Sequence, residues 1–232
     1  MTDPDVAVLD NPIWHALDGP QRHFAQAHGA ARRFRPGLAP FAGIADAADP
    51  ASWADLAALV GPGGVAVLVL PAIAVPAPWA SVWTGQGLQM VLSGPPRTVP
   101  ADGAPVVELT TVDVDEILGL VERTQPGPFL ARTIELGRYV GIRDRGRLVA
   151  MAGERMRGPG FTEVSAVCTD EAARGRGLAR RLVAHLAEAI HDRGEQAILH
   201  VVATNTSAVR AYEAVGFNTR DTFQFGTLTA AG

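Results

Sequence analysis

Lysine is absent from the 232-residue sequence, and all twenty basic residues are arginine. That bias is the mark of a GC-rich, bacterial genome, and it leaves no lysine side chain for the protein to acylate on itself. Cysteine occurs once, as Cys168, which excludes an intramolecular disulfide framework and any multi-cysteine metal site. His15, His23 and His28 do not share a face at metal-ligand spacing, so no metal is expected. Long hydrophobic runs are missing too. The longest, "GVAVLVLPAIAVPAPWA", is broken by Pro71, Pro76 and Pro78, and its unbroken part is too short to cross a bilayer as a helix. The start, "MTDPDVAVLDNP", is acidic and lacks the basic-then-apolar layout of a secretory signal. The net charge is -4, against the basic excess of most nucleic-acid binders. These absences predict a soluble, cytoplasmic protein with neither membrane nor nucleic acid as partner. The oligomeric state stays open, a homodimer included.

What is present is a globular composition, 47% hydrophobic and 19% charged. It is unevenly spread. Residues 1–105 contain no glutamate and five arginines; the remainder holds fifteen arginines and every glutamate. Between the two lies "SGPPRTVPADGAP", Ser93 to Pro105, rich in Pro and Gly and without apolar periodicity. The expectation is two modules, a smaller α+β unit over 1–100 and a mixed α/β (α+β) domain over 106–232.

In the second module "VVELT" reads as a strand, and "TVDVDEILGLVERT" as a helix with acids in its first turn. "FLARTIEL" reads as a short helix ending at Gly137, and "RYVGIRDRGRLVAMAGERM" as a hairpin turning at "RDRGR". "FTEVSAVCT" is an apolar strand. Leu178, Leu182, Val183, Leu186 and Ile190 then share one helical face, followed by the strand "QAILHVVAT". "TSAVRAYEAVGF" is a short helix capped at Thr206 or Ser207 and stopped by Gly216, and "RDTFQFGTL" closes as a strand. In the first module "NPIWHALDGPQRHFAQAH" reads as two helical pieces. "RRFRP", "PFAGIA", "GVAVLVLP" and "GLQMVLSG" read as strands, and "SWADLAALV" as a helix capped by Ser52. Trp14, Trp53, Trp79 and Trp83 are expected in its core.

The chemistry concentrates in "RGRGLAR", Arg174 to Arg180, between a strand and an amphipathic helix. A helix start presents unpaired N–H groups and partial positive charge, which suits phosphate. Glycine at 175 and 177 lets oxygens approach without a Cβ in the way, and Arg174, Arg176 and Arg180 add charge-assisted donors. On these residues alone, a tight turn with solvated arginines is an equal reading. No Gly-Lys-Ser/Thr follows, so the turn is not a P-loop, and the third glycine of a dinucleotide fingerprint is missing.

"VCTDEAARGRGLARRLV" resembles the acyl-CoA-binding motif of the GNAT superfamily of N-acyltransferases, with Arg174, Gly177 and Ala179 at its defining positions. "HVVATNTSAVRAYEAVGF" resembles the next motif of that superfamily through Asn205, Ala208, Tyr212, Gly216 and Phe217. The resemblance runs from Val106 to about Leu228 and is most similar to the glycine N-acyltransferase-like branch. It implies a central, mostly antiparallel twisted sheet whose two middle strands splay apart, with flanking helices. Backbone groups near Val167, Cys168 and Thr169 would pair with pantetheine. The N–H groups of Gly175, Arg176, Gly177, Leu178, Ala179 and Arg180 would wrap the pyrophosphate of acetyl-CoA or another acyl-CoA. Asn205 would contact the pantetheine chain or hold the splayed strand end. Glu163 matches the position of a general base, with Glu154 in reserve, and Tyr212 that of a donor to the departing thiolate.

The reaction implied is direct attack of a primary amine of a small molecule, amino acid or peptide on the thioester. The alternatives are a non-catalytic acyl-CoA-binding or sensor protein and an interaction module on the same fold. The remaining readings are structural: Cys168 as a small core thiol, His200 as a satisfied core or cleft histidine, and the arginines of "IRDRGRL" as a solvated hairpin tip. The first module has no matching glycine turn, so no second acyl-CoA site is expected there. It reads as a degenerate copy that walls off the acceptor side.

Overall fold

The structure is a computed structural model and describes residues 6–99 and 103–231. The first half supplies helices α1 (Val6–Asp10) and α2 (Pro12–Asp18), strands β1 (Ala25–His28), β2 (Ala31–Phe34) and β3 (Ala42–Ile44), helix α3 (Pro50–Val60), and strands β4 (Val65–Leu70) and β5 (Ala80–Leu92). The second half adds β6 (Val106–Leu109), α4 (Val114–Thr124), the hairpin β7 (Tyr139–Asp144) and β8 (Arg147–Gly158), β9 (Phe161–Thr169), α5 (Leu178–Asp192), β10 (Gln196–Val202), α6 (Thr206–Val215) and β11 (Phe217–Thr229). Among the described residues, no helix is long and apolar enough to cross a membrane.

Four local expectations need correction. Helix α3 begins at Asp49, whose carboxylate accepts the Ala51 N–H at 2.9 Å, with Pro50 at the first helical position. Ser52, the expected cap, lies buried inside that helix. Helix α6 is capped by Asn205, which accepts the Ala208 N–H at 3.2 Å, rather than by Thr206 or Ser207. "FLARTIEL" makes only a turn of 3-10 helix over Thr133–Leu136. The buried Thr133 hydroxyl holds that segment, donating to the Leu38 carbonyl at 2.6 Å and accepting from the Leu130 N–H. "QRHFAQAH" forms a 3-10 turn and then β1, because pairing of Ala25–His28 with Ala31–Phe34 outcompetes a helix.

Eight strands form one sheet in the order β4-β11-β5-β10-β9-β8-β7-β6, and β1-β2-β3 form a separate small sheet. All the pairs of the large sheet are antiparallel except β9 with β10. The change in composition near residue 100 is no break in this sheet. Strand β5, from before it, lies between β10 and β11 and pairs antiparallel with both. Strand β11 pairs only with β4 and β5, so both of its neighbours come from the first half. The first half thus completes the second half's sheet with β4 and β5.

Alternation along the strands gives the large sheet two faces. Helices α5 and α6 cover one through Val140, Ala152, Val164, Leu178, Leu182, Leu186, Leu199, Tyr212 and Val215. On the other, α4 packs at one end with Ile117 and Leu120 against Tyr139 and Met151. There α1 and α2 pack with Leu9, Ile13 and Leu17 against Phe161, Ile198 and Phe223. Burial of these clusters at roughly 25 cal/mol per Å² supplies the main drive for the assembly.

Candidate functional site

The parallel pair β9–β10 is short. It holds from Phe161/Gln196 to Glu163/Ile198 and records no pairing beyond. Past that point β10 continues against β5 as far as Val202/Gly87, while β9 continues against β8 as far as Thr169/Ala150. A gap thus opens in the middle of the sheet. On its β9 side, Ala166 and Val167 stand opposite Ala152 alone, since Ser165 pairs Gly153 and Cys168 pairs Met151. Ala166 carries φ +53, a left-handed conformation that a non-glycine residue adopts only where its surroundings impose it. This bulge withdraws backbone groups from the β8–β9 ladder beside the gap and reverses which face the later residues of β9 address.

Beyond β9 the chain enters a 3-10 turn, Glu171–Ala173, anchored by Asp170. That carboxylate accepts the Ala172 N–H and also binds Arg123 at 3.1 Å and Arg147 at 2.9 Å. Arg147, expected at a solvated hairpin tip, is thereby part of the support. Gly175 and Gly177 follow with φ +81 and +76, and a Cβ on Gly175 would meet nothing within 4 Å. Space over the turn is therefore open at Gly175, while the Arg180 guanidinium lies over Gly177, 3.2 Å from where a Cβ would stand. Gly177 stands at the N-cap of α5 in the left-handed conformation and, lacking a side chain, makes no cap bond to the first helical N–H groups. Fifteen residues of α5 aim their positive end at this spot. Arg174 donates to the Thr169 carbonyl at 3.4 Å, and Arg176 pairs with Asp144 at 2.8 Å, while Arg174, Arg176 and Arg180 are all exposed. A helix start without a side-chain cap, a turn open at Gly175 and exposed guanidinium groups suit a diphosphate, and the gap running from the turn toward the bulge suits an extended amide chain.

Tyr212, on α6, is 9% exposed. Burial pushes its pKa up to about 12, with Cys168 adding to the rise, so the phenol keeps its proton through neutral pH. Cys168 is buried, and burial raises its thiol pKa, consistent with a core thiol. The Asn205 side-chain oxygen is occupied as the α6 cap and also accepts from the Ser207 hydroxyl, leaving its amide N–H groups for any ligand. The Thr169 hydroxyl is buried without a partner at the end of β9.

The opposite face holds a charged network that sequence reasoning largely missed. Glu163 is 1% exposed. Arg155 grips both of its oxygens at 3.0 Å, and His200 Nδ1 lies 2.8 Å from Oε1. A second bulge sets Arg155 and Met156 opposite Glu163 alone, which turns the guanidinium onto the carboxylate. The Arg155 guanidinium also lies 4.4 Å over the Phe41 ring. Burial alone would raise the Glu163 pKa; Arg155 and His200 more than offset it and hold the carboxyl at about 2. A carboxylate so engaged is a weak proton acceptor, which weighs against the expected base role. Glu154, the reserve, sits away from the gap, paired with Arg193 at 3.0 Å.

His200 continues the network. Its Nε2 lies 3.1 Å from the Gln89 side-chain nitrogen, which also donates to the Leu9 carbonyl at 2.8 Å. The Gln89 oxygen accepts from Arg220 at 2.8 Å, and Arg220 pairs with Asp10 at 2.6 Å. With the amide oriented this way, Nε2 accepts and Nδ1–H donates to Glu163, which fixes the tautomer. The signal that could have found the network is a polar residue at an inward position of an apolar strand: Gln89 in "GLQMVL" and His200 in "ILHVV". Among the described residues no group of three or more His, Cys, Asp or Glu side chains could hold a metal ion.

A family model described as FR47-like protein matches residues 139–225, which carry the hairpin, the bulge, the glycine turn, both helices and most of β11. A solved candidate acetyltransferase of the GNAT family from Novosphingobium aromaticivorans DSM 12444 is 39% identical, covers 97% of this chain and 99% of its own, and superimposes with a TM-score of 0.86. A GCN5-related N-acetyltransferase from Kribbella flavida shares the fold at 18% identity, with a TM-score of 0.62 over 90% of this chain and 89% of its own. An uncharacterized protein from Mycobacterium leprae (strain TN) is 37% identical over 135 residues, 52% of this chain, and the match spans only 37% of that relative's length. The splayed sheet and glycine turn define an acyltransferase scaffold, and the full-length likeness settles the family: the chain belongs to the GNAT acetyltransferase family.

Proposed function

We propose that the protein is an acyl-CoA-dependent N-acyltransferase, using acetyl-CoA or a longer acyl-CoA, that acylates a primary amine of a small molecule, amino acid or peptide. The observation that carries this reading is the gap between β9 and β10, opening beside an uncapped, glycine-led helix start. The amides from Gly175 to Arg180 hold the pyrophosphate, and the backbone of Val167 to Thr169 beside the Ala166 bulge holds the pantetheine arm. Acyl-CoA supplies the thioester; the protein orients it and manages protons. Tyr212 keeps its proton at neutral pH and donates it to the thiolate as it departs. On the other side of the gap the amine must lose a proton. A water takes it, and Glu163 is a positioning residue that receives the His200 Nδ1–H and fixes the imidazole. Helices α1 and α2 wall this side from solvent. Placement in the glycine N-acyltransferase-like branch belongs to the same proposal and rests on the element order and the two motifs.

One observation favours a second reading. Both Glu163 oxygens and both His200 nitrogens are already engaged, as a non-catalytic acyl-CoA-binding protein would allow. Calorimetry with acetyl-CoA gives binding under either reading. Free-thiol release across amino acids, polyamines and other primary amines separates them: release supports transfer, and binding without release supports the sensor.

A further inference from the structure

Tyr139 opens β7, and its hydroxyl is buried with no hydrogen-bond partner among the described residues. The residue is 1% exposed. An unpaired buried hydroxyl costs free energy, and phenylalanine would fill the same space without that cost. The ring lies across β8. A Cβ on Gly153, its partner in the ladder, would stand 2.0 Å from the ring Cδ1 and 2.1 Å from Cε1. No side chain fits at 153, because the tyrosine passes over it. Phe129 packs edge-on against the same ring at 5.4 Å between centroids. Gly153 in turn pairs with Ser165 on β9, so Tyr139, Gly153 and Ser165 form one row across three strands, on the face that carries Glu163. The charges of Arg155 and Glu163 both bear on the phenol, which sets its hydroxyl end toward β9. Burial pushes its pKa up, so it stays a neutral hydroxyl able to donate.

Ser165 stands where the sheet opens. Strand β9 pairs with β10 only as far as Glu163; it is buried from Phe161 through Val164 and half-buried from Ser165 through Val167. The row of Tyr139 therefore ends at the margin of the gap. Glu163 and His200 beside it are held by each other, by Arg155 and by Gln89. We propose that Tyr139 and Ser165 together hold the water that takes the proton of the acceptor amine. The inference rests on the acyl-transfer reading above. The phenol donates to the water oxygen, the serine oxygen accepts one of its hydrogens, and the second lone pair faces the gap. As the amine nitrogen bonds to the thioester carbon, the C–S electron pair leaves on sulfur, which takes a proton from Tyr212. The nitrogen's proton passes to the water and through the Ser165 hydroxyl to solvent, and solvent returns one to Tyr212. The products are an amide and a free thiol. Tyr139 and Ser165 are positioning residues, acting through the water they orient.

The test uses the full chain with saturating acetyl-CoA and thiol release to glycine, ethanolamine, phenethylamine and spermidine, the fastest of them serving as acceptor. Tyr139→Phe should lower kcat about tenfold or more. Its melting temperature and acetyl-CoA affinity by calorimetry should hold, because the lost hydroxyl bonds to nothing else in the fold. Ser165→Ala should do the same. The solvent isotope effect on kcat should rise in both, a change that altered packing does not produce. The double variant should lose no more than the worse single, since either change frees the same water. Unchanged kcat in Tyr139→Phe, or losses that multiply in the double variant, overturns the shared water and leaves acyl transfer standing. A fall in kcat that comes with a lowered melting temperature and an unchanged isotope effect assigns the phenol to packing and also overturns it. Acetyl-CoA binding without thiol release to any of the four amines overturns acyl transfer, and the water site with it.

Discussion

The two faces of the eight-stranded sheet build their sites by different means. The α5–α6 face draws the groups proposed to hold acyl-CoA from nearly contiguous chain, Val167 to Arg180, with Asn205 and Tyr212 close behind. Its donors are backbone amides, which need only a glycine turn and a helix start. The opposite face draws on the whole chain. Glu163 meets Arg155 eight residues away and His200 thirty-seven away; Gln89 reaches His200 across 111 positions, and Arg220 reaches Asp10 across 210. Its central groups, Glu163, His200 and Gln89, are polar and buried, so each requires a partner in place. A site made of backbone can be written locally; a buried charge cluster closes only when distant strands meet.

That contrast predicts a graded set of outcomes. The largest is loss of the fold. Deleting residues 1–100 removes β4 and β5 and leaves β11 without any strand partner, so the remainder should show no cooperative melting by circular dichroism. A soluble, cooperatively folding, active remainder would erase the distinction between the faces.

Next comes Glu163→Ala, which strands Arg155 and His200 in the interior. It should cost about 3–5 kcal/mol in urea unfolding, with Glu163→Gln milder. The same carboxylate sets a pH dependence. Its folded pKa of about 2 lies below the ordinary 4.5, so its stabilisation is complete above about 4.5 and fades as pH falls toward 2. Glu163→Gln should flatten the stability profile in that window, and an unchanged profile would mean that the pair contributes nothing.

Tyr212→Phe, on the donor face, should lower turnover about a hundredfold with acetyl-CoA affinity near normal by calorimetry. Unchanged turnover removes the thiolate-donor role. The smallest effect is expected from Gly175→Ala. Space for the methyl exists, but φ +81 does not suit it and the Cβ would stand in the path of phosphate oxygens. Acetyl-CoA affinity should fall about tenfold, with about 1 kcal/mol of stability lost. If affinity is retained, the diphosphate does not lie on this turn.

The element order of the second half was legible because each element carries its own signal. Acids open α4, five aliphatic residues line α5, glycines stop α5 and α6, and a turn dipeptide separates β7 from β8. The glycine turn was legible for the same reason. Where two local signals competed, the reading slipped. Asp49–Pro50 outweighs Ser52 because an extended carboxylate cap followed by proline satisfies the helix start better. Thr133 and its segment look helical alone but bond to Leu38 instead. Glu163 looked like a free base because nothing nearby in sequence announces that Arg155 bulges onto it. Trp83 looked like core because composition cannot tell an inward ring from one lying on an exposed strand.

The sequence by itself determined the glycine-led helix start, the strands on either side of it and the tyrosine on the following helix. Each of these depends on the preferences of neighbouring residues. Only the tertiary structure decided that β5 enters the sheet between β10 and β11, that Glu163 is a buried and paired carboxylate, and that Trp83 lies exposed on β5 rather than in the core. Those facts arise from contacts between residues scores of positions apart, where the free energy of burial and pairing, not local propensity, selects the arrangement.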